Sequence, residues 1–165
     1  VWEGFKVLKV VEQAKTEPEE VVNLIKKLSN QYSVGKSNIV YDSDGVGAYL
    51  SSYLKGTVGF KNNGKVFHKE NFANLKSQCF WKFSQLMQDG VIDFSMLTEK
   101  QQGYVQDELT VVRNYSYGTD KSLQATPKKD IIGLLGHSPD YADALNMRFY
   151  FEVKKSNSSI SPVIW

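Results

Sequence analysis

The chain has 165 residues, 41% of them hydrophobic and 13% aromatic, with 20 basic and 18 acidic side chains and a formal net charge of +2. This composition fits one folded domain and excludes a disordered chain, a histone-like arm or a polyanionic tail, while a local basic patch stays possible. A single cysteine cannot form an internal disulfide, and no apolar run is long enough to cross a membrane, so we expect a cytoplasmic protein without membrane contact.

Hydrophobic spacing and turn residues predict an alternation of strands and helices from the amino terminus onward. Runs of Val, Leu and Phe indicate strands, and apolar residues at helical spacing indicate helices between them. The expected elements of the first half are a strand at 5–11, a helix from a Thr16–Glu19 capping box to about Tyr32, a strand at 38–42, a glycine turn at 45–47, a helical segment to Tyr53 and a strand at 58–60.

The second half continues the same alternation, which predicts an α/β domain over 1–153 and a loose, Ser-rich tail at 154–165. The longest helical pattern lies here. The expected elements are a polar loop at 61–72, a helix at 71–88, a strand at 91–94, a helix at 97–109, a hairpin of 109–116 with 122–126 around 117–120, a helix at 128–135 closed by Gly136, and a last helix to about Val153 with Ser138 as its cap and Pro139 in its first position.

The first acidic motif follows the strand at 38–42. Asp42 continues that strand, and Asp44, Gly45 and Gly47 form the turn after it. An acid at the carboxyl end of a buried strand lies where α/β folds place their active sites. The alternative is an ordinary strand-to-helix turn in which a carboxylate caps the helix, a common arrangement. Asp44 is the better capping residue and Asp42 the better ligand.

The second acidic motif opens the last predicted helix. Asp140 and Asp143 are three residues apart and therefore share a helix face. The positive end of the helix dipole is a sufficient explanation for Asp140. It explains Asp143 less well, because an acid among Ala and Leu residues costs free energy unless it is paired or binds a metal. Clustered carboxylates are the ligands that Mg²⁺ and Mn²⁺ prefer.

These segments, in this order, resemble the carboxyl-terminal nuclease domain of phage terminase large subunits, which has the ribonuclease H-like fold. Four pieces match: residues 2–4 with the strand after them, residues 39–47, residues 72–81, which resemble the family's long helix, and residues 128–145. The resemblance covers nearly the whole chain. It implies a mixed central sheet flanked by helices.

The resemblance also implies a function: a metal-dependent endonuclease that cleaves concatemeric duplex DNA during genome packaging, in the host cytoplasm. In that family, acids on the first strand, on a later strand and on the last helix hold two divalent metals. The resemblance matches Asp42 to the acid on the later strand. It matches the pair of Asp140 and Asp143 to the acid on the last helix, without deciding which of the two bridges the metals. The family's first strand and first acid are expected before Val1, and we expect the chain to be a fragment that cuts DNA poorly.

The same resemblance implies duplex DNA as a partner, with the phage portal and the small terminase subunit as partners of the intact protein. No phosphate-binding loop is present, so no ATP site is expected. Alternatives are a ribonuclease H-like resolvase or transposase and a non-catalytic DNA- or portal-binding fragment. Lysines near the motifs are the expected phosphate contacts: Lys61, Lys65, Lys76, Lys128 and Lys129.

Overall fold

A computed structural model describes residues 1–14, 17–44, 48–115 and 122–155. Helices and short strands alternate between residues 6 and 88, as the sequence predicts, but not beyond: the helix that ends at Gln88 is followed directly by another, and the last three helices are consecutive. The helices are α1 (Pro18–Gln31), α2 (Leu50–Tyr53), α3 (Leu75–Gln88), α4 (Glu99–Val111), α5 (Lys128–Leu135), α6 (Asp140–Met147) and α7 (Tyr150–Lys155), and the strands are β1 (Trp2–Glu3), β2 (Lys6–Val7), β3 (Val40–Asp42), β4 (Val58–Phe60), β5 (Asn114–Tyr115) and β6 (Gln124–Ala125).

The amino-terminal segment is a tight hairpin rather than the single strand expected at 5–11. Strands β1 and β2 pair antiparallel, and Gly4 makes the turn with a φ of 56°, which is a conformation that glycine adopts at little cost. The segment expected as a strand at 91–94 contributes only a bridge to this hairpin. The N–H of Val7 donates to the carbonyl oxygen of Asp93 at 2.9 Å, and the N–H of Asp93 donates to the carbonyl oxygen of Phe5 at 3.1 Å.

Strands β3 and β4 form the parallel pair that positions the first acidic motif. Tyr41 lies opposite Gly59 and Asp42 lies opposite Phe60. The chain between them passes through the short helix α2, as a parallel connection requires. Since both strands run in the same direction, the residues after Asp42 and those after Phe60 emerge at the same edge.

The two sides of β3 face two separate groups of buried side chains. Val40 packs against the larger group, which is centred on α3, α6 and α7, whereas Tyr41 belongs to a smaller group with residues of α1 and α2. Adjacent residues of a strand point to opposite faces, so helices cover both faces of β3. The larger group contains Val7, Phe60, Leu75, Cys79, Phe80, Phe83, Leu97, Val105, Ala125, Tyr141, Ala142, Leu145, Phe149 and Val153, and the smaller one contains Val22, Tyr41, Leu50 and Leu54.

Three local expectations need correction. The capping interaction of α1 comes one residue later than expected: the Glu20 carboxylate accepts the N–H of Glu17 at 3.3 Å, and Thr16 lies outside the described residues. The last helix is two helices, α6 and α7, and Pro139 rather than Ser138 is the residue before α6. Among the described residues the strands form three two-stranded sheets, so the mixed pairing is present without one continuous central sheet.

The remaining helices begin and end close to the expected residues. Asn74 caps α3 by accepting the N–H of Ser77 at 2.9 Å, and Gly136 closes α5 with a φ of 77°. The hairpin of β5 and β6 is present, while its expected turn at 117–120, the glycine turn at 45–47 and the tail from 156 onward lie outside the described residues. No helix in the described ranges has both the length and the apolar character needed to cross a bilayer.

Candidate metal and phosphate site

The carboxylates of Asp42 and Asp44 are held next to each other at the end of β3. Oδ1 of Asp42 accepts the backbone N–H of Asp44 at 2.9 Å, which is the turn geometry that aspartate favours. Both side chains are exposed. The turn interpretation and the ligand interpretation are therefore compatible, because the Asp42 side chain stays exposed while it makes the turn.

Asn62 joins these two acids from the end of β4. Its backbone N–H and its side-chain amide both donate to Oδ2 of Asp44, at 2.8 and 2.9 Å. The same amide nitrogen lies 3.4 Å from each oxygen of Asp42, at the long limit of a hydrogen bond. The sequence identified Asn62 only as part of the polar loop at 61–72, because nothing in one chain's sequence shows that parallel pairing brings it to the acids.

Asp143 lies on α6 between two lysines. Its Oδ1 is 2.6 Å from the Nζ of Lys76, and its Oδ2 is 3.4 Å from the Nζ of Lys128. The side chains of Asp143 and Lys76 are 25% and 16% exposed, so this pair is partly shielded from water. Although Oδ1 is in ion-pair contact with Lys76, it is buried and has no aligned hydrogen-bond donor. The 2.6 Å distance makes Lys76 the partner of this oxygen, because an ammonium group can rotate to direct one of its N–H bonds at it.

Asn146 lies one helical turn beyond Asp143 and is almost fully buried. Its side-chain nitrogen is 3.4 Å from the carbonyl oxygen of Lys76, and its Oδ1 has no hydrogen-bond partner. A buried amide oxygen without a donor costs free energy. Sequence reasoning missed Asn146, and the signal that could have found it was a polar residue at a core position three residues after Asp143.

The first turn of α3 connects the two halves of the site. The carbonyl oxygen of Asn62 accepts the backbone N–H of Lys76 at 3.2 Å, and α6 packs next to β3. The contacts of Asn62 with Asp44 and the pair of Lys76 with Asp143 are thus connected through the first turn of α3. Carboxylate oxygens are the kind of group that binds a hard cation, and ammonium groups the kind that binds a phosphate.

Asp140 has different neighbours from Asp143. It is the exposed first residue of α6 and lines a groove with Glu12, Glu108 and His137. Glu108 is buried, and one of its carboxylate oxygens accepts the N–H of Ala142 at 2.8 Å. Burial raises the pKa of Glu108, and the Ala142 N–H and His137 oppose that shift. Sequence reasoning also missed Glu108 as the group that caps α6.

The other predicted phosphate contacts are placed as follows. Lys61, Lys65 and Lys129 are exposed, and Lys128 keeps about half of its side-chain surface in solvent, at 51%. Lys76 differs from these four lysines in being largely enclosed, because it pairs with Asp143. Among residues 1–14, 17–44, 48–115 and 122–155, no three His, Cys, Asp or Glu side chains gather closely enough to hold a metal ion together.

The fold is shared with solved nuclease domains. No protein-family model matches the chain, and no curated protein matches it by sequence. The nuclease domain of the large terminase subunit gp2 of bacterial virus Sf6, solved as a lysine-to-alanine mutant with manganese, superposes with a TM-score of 0.71 at 20% identity, over 88% of this chain and 79% of that one. The same domain with calcium, and without that substitution, each gives a TM-score of 0.70 at 20% identity, over 88% of this chain and 78% of theirs. The chain therefore shares the α/β fold of these solved terminase nuclease domains, as the sequence resemblance predicts.

Proposed function

We propose that the chain is a divalent-metal-dependent DNA endonuclease domain that cuts concatemeric duplex DNA during phage genome packaging. The observation that carries this proposal is the link from Asp42 and Asp44 through Asn62 and the first turn of α3 to the Lys76–Asp143 pair, in a fold shared with a terminase nuclease domain solved with manganese. Hard carboxylate ligands beside ammonium groups are what a phosphodiester-cleaving site needs.

The donor groups fit Mg²⁺ or Mn²⁺. Asp42 offers an exposed carboxylate, and Asp143 offers a partly buried carboxylate whose partners in the metal-free chain are Lys76 and Lys128. All of these donors are oxygens, which suits hard cations better than zinc or copper. When bound, such ions polarise the phosphodiester and stabilise the leaving oxygen. We assign Asp42 and Asp143 as metal ligands, with Asp140 as the weaker candidate because its neighbours are Glu108 and His137. Two metals are expected in the intact domain.

The residues around the acids hold and neutralise the reactants. Asn62 fixes Asp42 and Asp44 through its amide, so that their oxygens keep one orientation. Lys76 neutralises Asp143 in the absence of a cation and becomes available to a phosphate oxygen once a cation takes over that role. Lys61, Lys65, Lys128 and Lys129 supply sequence-independent contacts to the DNA backbone. In this proposal the protein works in the host cytoplasm with the portal and the small terminase subunit.

A second candidate is a non-catalytic DNA- or portal-binding domain of the same fold. One observation favours it: Asp143 is already paired with two lysines. In such a protein the lysines would be permanent partners of the acid and no cation would be needed. The two candidates differ in what happens to bound DNA when Mn²⁺ is added: the nuclease cuts it, and the non-catalytic domain only binds it.

The test is nicking of supercoiled plasmid with Mn²⁺ by the parent chain and by Asp42→Asn and Asp143→Asn. Asp107→Asn is the matched control, because Asp107 is an exposed acid on α4, a helix that carries none of the candidate ligands. We expect slow nicking by the parent, a drop of about tenfold or more in both site variants, and parent-like activity in the control. DNA binding without any Mn²⁺-dependent nicking would instead support the non-catalytic candidate.

A further inference from the structure

Asn146 of α6 carries a buried amide oxygen that the described fold does not use. The residue is only 1% exposed. Its side-chain nitrogen makes one long contact, 3.4 Å from the carbonyl oxygen of Lys76, and no donor from the described residues bonds to its Oδ1. Buried polar atoms in folded proteins nearly always have a partner, because an unpaired one costs free energy. The orphaned oxygen therefore indicates a partner that the described residues do not supply.

A second buried amide, that of Gln78 on α3, shows the pattern of a purely structural role. Gln78 is also 1% exposed. Its oxygen accepts the N–H of Phe67 at 2.9 Å, and its nitrogen donates to the carbonyl oxygen of Phe67 at 3.1 Å and to a carboxylate oxygen of Glu70 at 2.9 Å. Both ends of the Gln78 amide are thus satisfied within the fold. Burial alone does not account for the free oxygen of Asn146.

Asn146 shares a face of α6 with Asp143, which lies three residues earlier. Both side chains contact the same residue of α3: the amide of Asn146 meets the backbone of Lys76, and the carboxylate of Asp143 pairs with its Nζ at 2.6 Å. Residues at positions i and i+3 of one helix can bind one metal ion, as Glu and His do in helical-bundle metal proteins. The spacing therefore allows both side chains of α6 to act on one ion.

The carboxylates near Asp143 are too few to surround a cation by themselves. In the described part of the chain, no group of three His, Cys, Asp or Glu side chains forms a metal site. A hard cation takes about six oxygen ligands, and amide oxygens serve alongside carboxylates and water. An amide oxygen is neutral, so it adds a ligand beside Asp143 without the repulsion that another buried carboxylate would bring.

We propose that Asn146 is a further ligand of the divalent cation that Asp143 binds, and that its free Oδ1 is the ligand atom. This inference rests on the proposed metal-dependent function and adds to it a neutral ligand from the buried side of α6. In the metal-free chain Lys76 neutralises Asp143 but does not satisfy the oxygen of Asn146. The free-energy cost of that unpaired oxygen is recovered when a cation binds, so Asn146 favours the metal-bound state.

The test compares Asn146→Leu with the parent chain of 165 residues and with Gln78→Met as the matched control. The EPR signal of free Mn²⁺ measures binding without DNA, and urea unfolding measures stability. We expect Asn146→Leu to be at least as stable as the parent without metal, because Leu has a similar shape and no unpaired oxygen, yet to bind Mn²⁺ about tenfold more weakly. Gln78→Met should lose stability and bind Mn²⁺ as the parent does, because its satisfied amide has no part in the site.

Asn146→Asp provides a second measurement that does not depend on the tolerance of Leu at this position. The variant keeps the shape and an oxygen at the same place but adds a buried charge next to Asp143. We expect it to unfold at lower urea than the parent without metal, and to gain more from saturating Mn²⁺ than the parent gains. A residue that only packs α6 against α3 would show no such difference in the response to Mn²⁺.

The outcomes distinguish this inference from the proposed function on which it rests. Parent-like Mn²⁺ affinity in Asn146→Leu would overturn the inference, and so would an Asn146→Asp variant that gains no more from Mn²⁺ than the parent. If Asp143→Asn still abolished Mn²⁺ binding in either case, the proposed metal site would stand without Asn146. A parent chain with no saturable Mn²⁺ binding would overturn both the inference and the metal dependence of the proposed function.

Discussion

The Nζ of Lys76 lies 2.6 Å from Oδ1 of Asp143, in a place where neither side chain is more than a quarter exposed. A charge pair that is partly removed from water depends on both partners, because the loss of one leaves the other uncompensated. Lys76 and a metal cation would thus compete for the same carboxylate, that of Asp143. This competition makes the site testable through stability as well as through activity.

Replacement of Lys76 by Met should destabilise the metal-free protein by about 1–3 kcal/mol, since Asp143 keeps only its long contact to Lys128. Mn²⁺ should then restore more stability in the variant than in the parent, because the ammonium no longer competes. Urea unfolding with and without Mn²⁺ measures both effects. Lys128→Met is the control, with a smaller loss expected from its more exposed pair. Equal responses to Mn²⁺ in parent and variant would contradict the competition.

Replacement of Asp42 by Asn should weaken Mn²⁺ binding and leave the fold intact or slightly more stable. The substitution removes one of two adjacent negative charges at the end of β3 while an amide oxygen can still accept the N–H of Asp44. Thermal melts over a Mn²⁺ titration measure the change, with Asp107→Asn as the control. A variant with the parent's metal-induced rise in melting temperature would remove Asp42 from the ligand set.

Replacement of Asn62 by Ala should loosen the acidic pair. Asp44 keeps the backbone N–H of residue 62 but loses the amide donor at 2.9 Å, so we expect a stability loss of about 1 kcal/mol and weaker Mn²⁺ binding. Asn63→Ala is a matched control, since the side-chain oxygen of Asn63 makes only one long contact, 3.4 Å from the amide nitrogen of Asn74. If the Asn62 variant bound Mn²⁺ as tightly as the Asn63 variant, Asn62 would have no part in orienting the acids.

Replacement of Glu108 by Gln should change how stability depends on pH. Burial raises the pKa of Glu108 in the folded chain above its value in the unfolded chain. The folded state then binds this proton more tightly, so the associated stability is present below the unfolded pKa of about 4.3 and is lost as pH rises through the folded pKa. The amide of the variant would keep an oxygen for the Ala142 N–H without a charge to bury. Urea melts at acidic and neutral pH should therefore favour the variant increasingly as pH rises; a constant difference would contradict this.

Local sequence signals predicted the elements well where propensity and burial agree. The helix at 128–135 and the strand at 58–60 have the bounds that the sequence predicts, because Gly136 and the apolar run at Val58 leave little choice. The break between α6 and α7 was missed, because the residues at 147–150 are all compatible with a helix. The assignment of Asp42, Asp140 and Asp143 to a metal site stays a prediction. The contacts of Asn62 and Asn146 and the pairing of Lys76 with Asp143 could not be predicted, because they join distant segments of the chain.

The unequal size of the two hydrophobic groups divides the molecule into a stable layer and a weaker one. Four buried side chains, Val22, Tyr41, Leu50 and Leu54, fasten α1 and α2 to β3, whereas the opposite layer has a far larger buried set. Apolar burial sets the free energy of local opening, so α1 and α2 should detach together in native conditions without global unfolding. A protease would cut first within this layer, and whatever adds apolar contact to α1 would slow that cut.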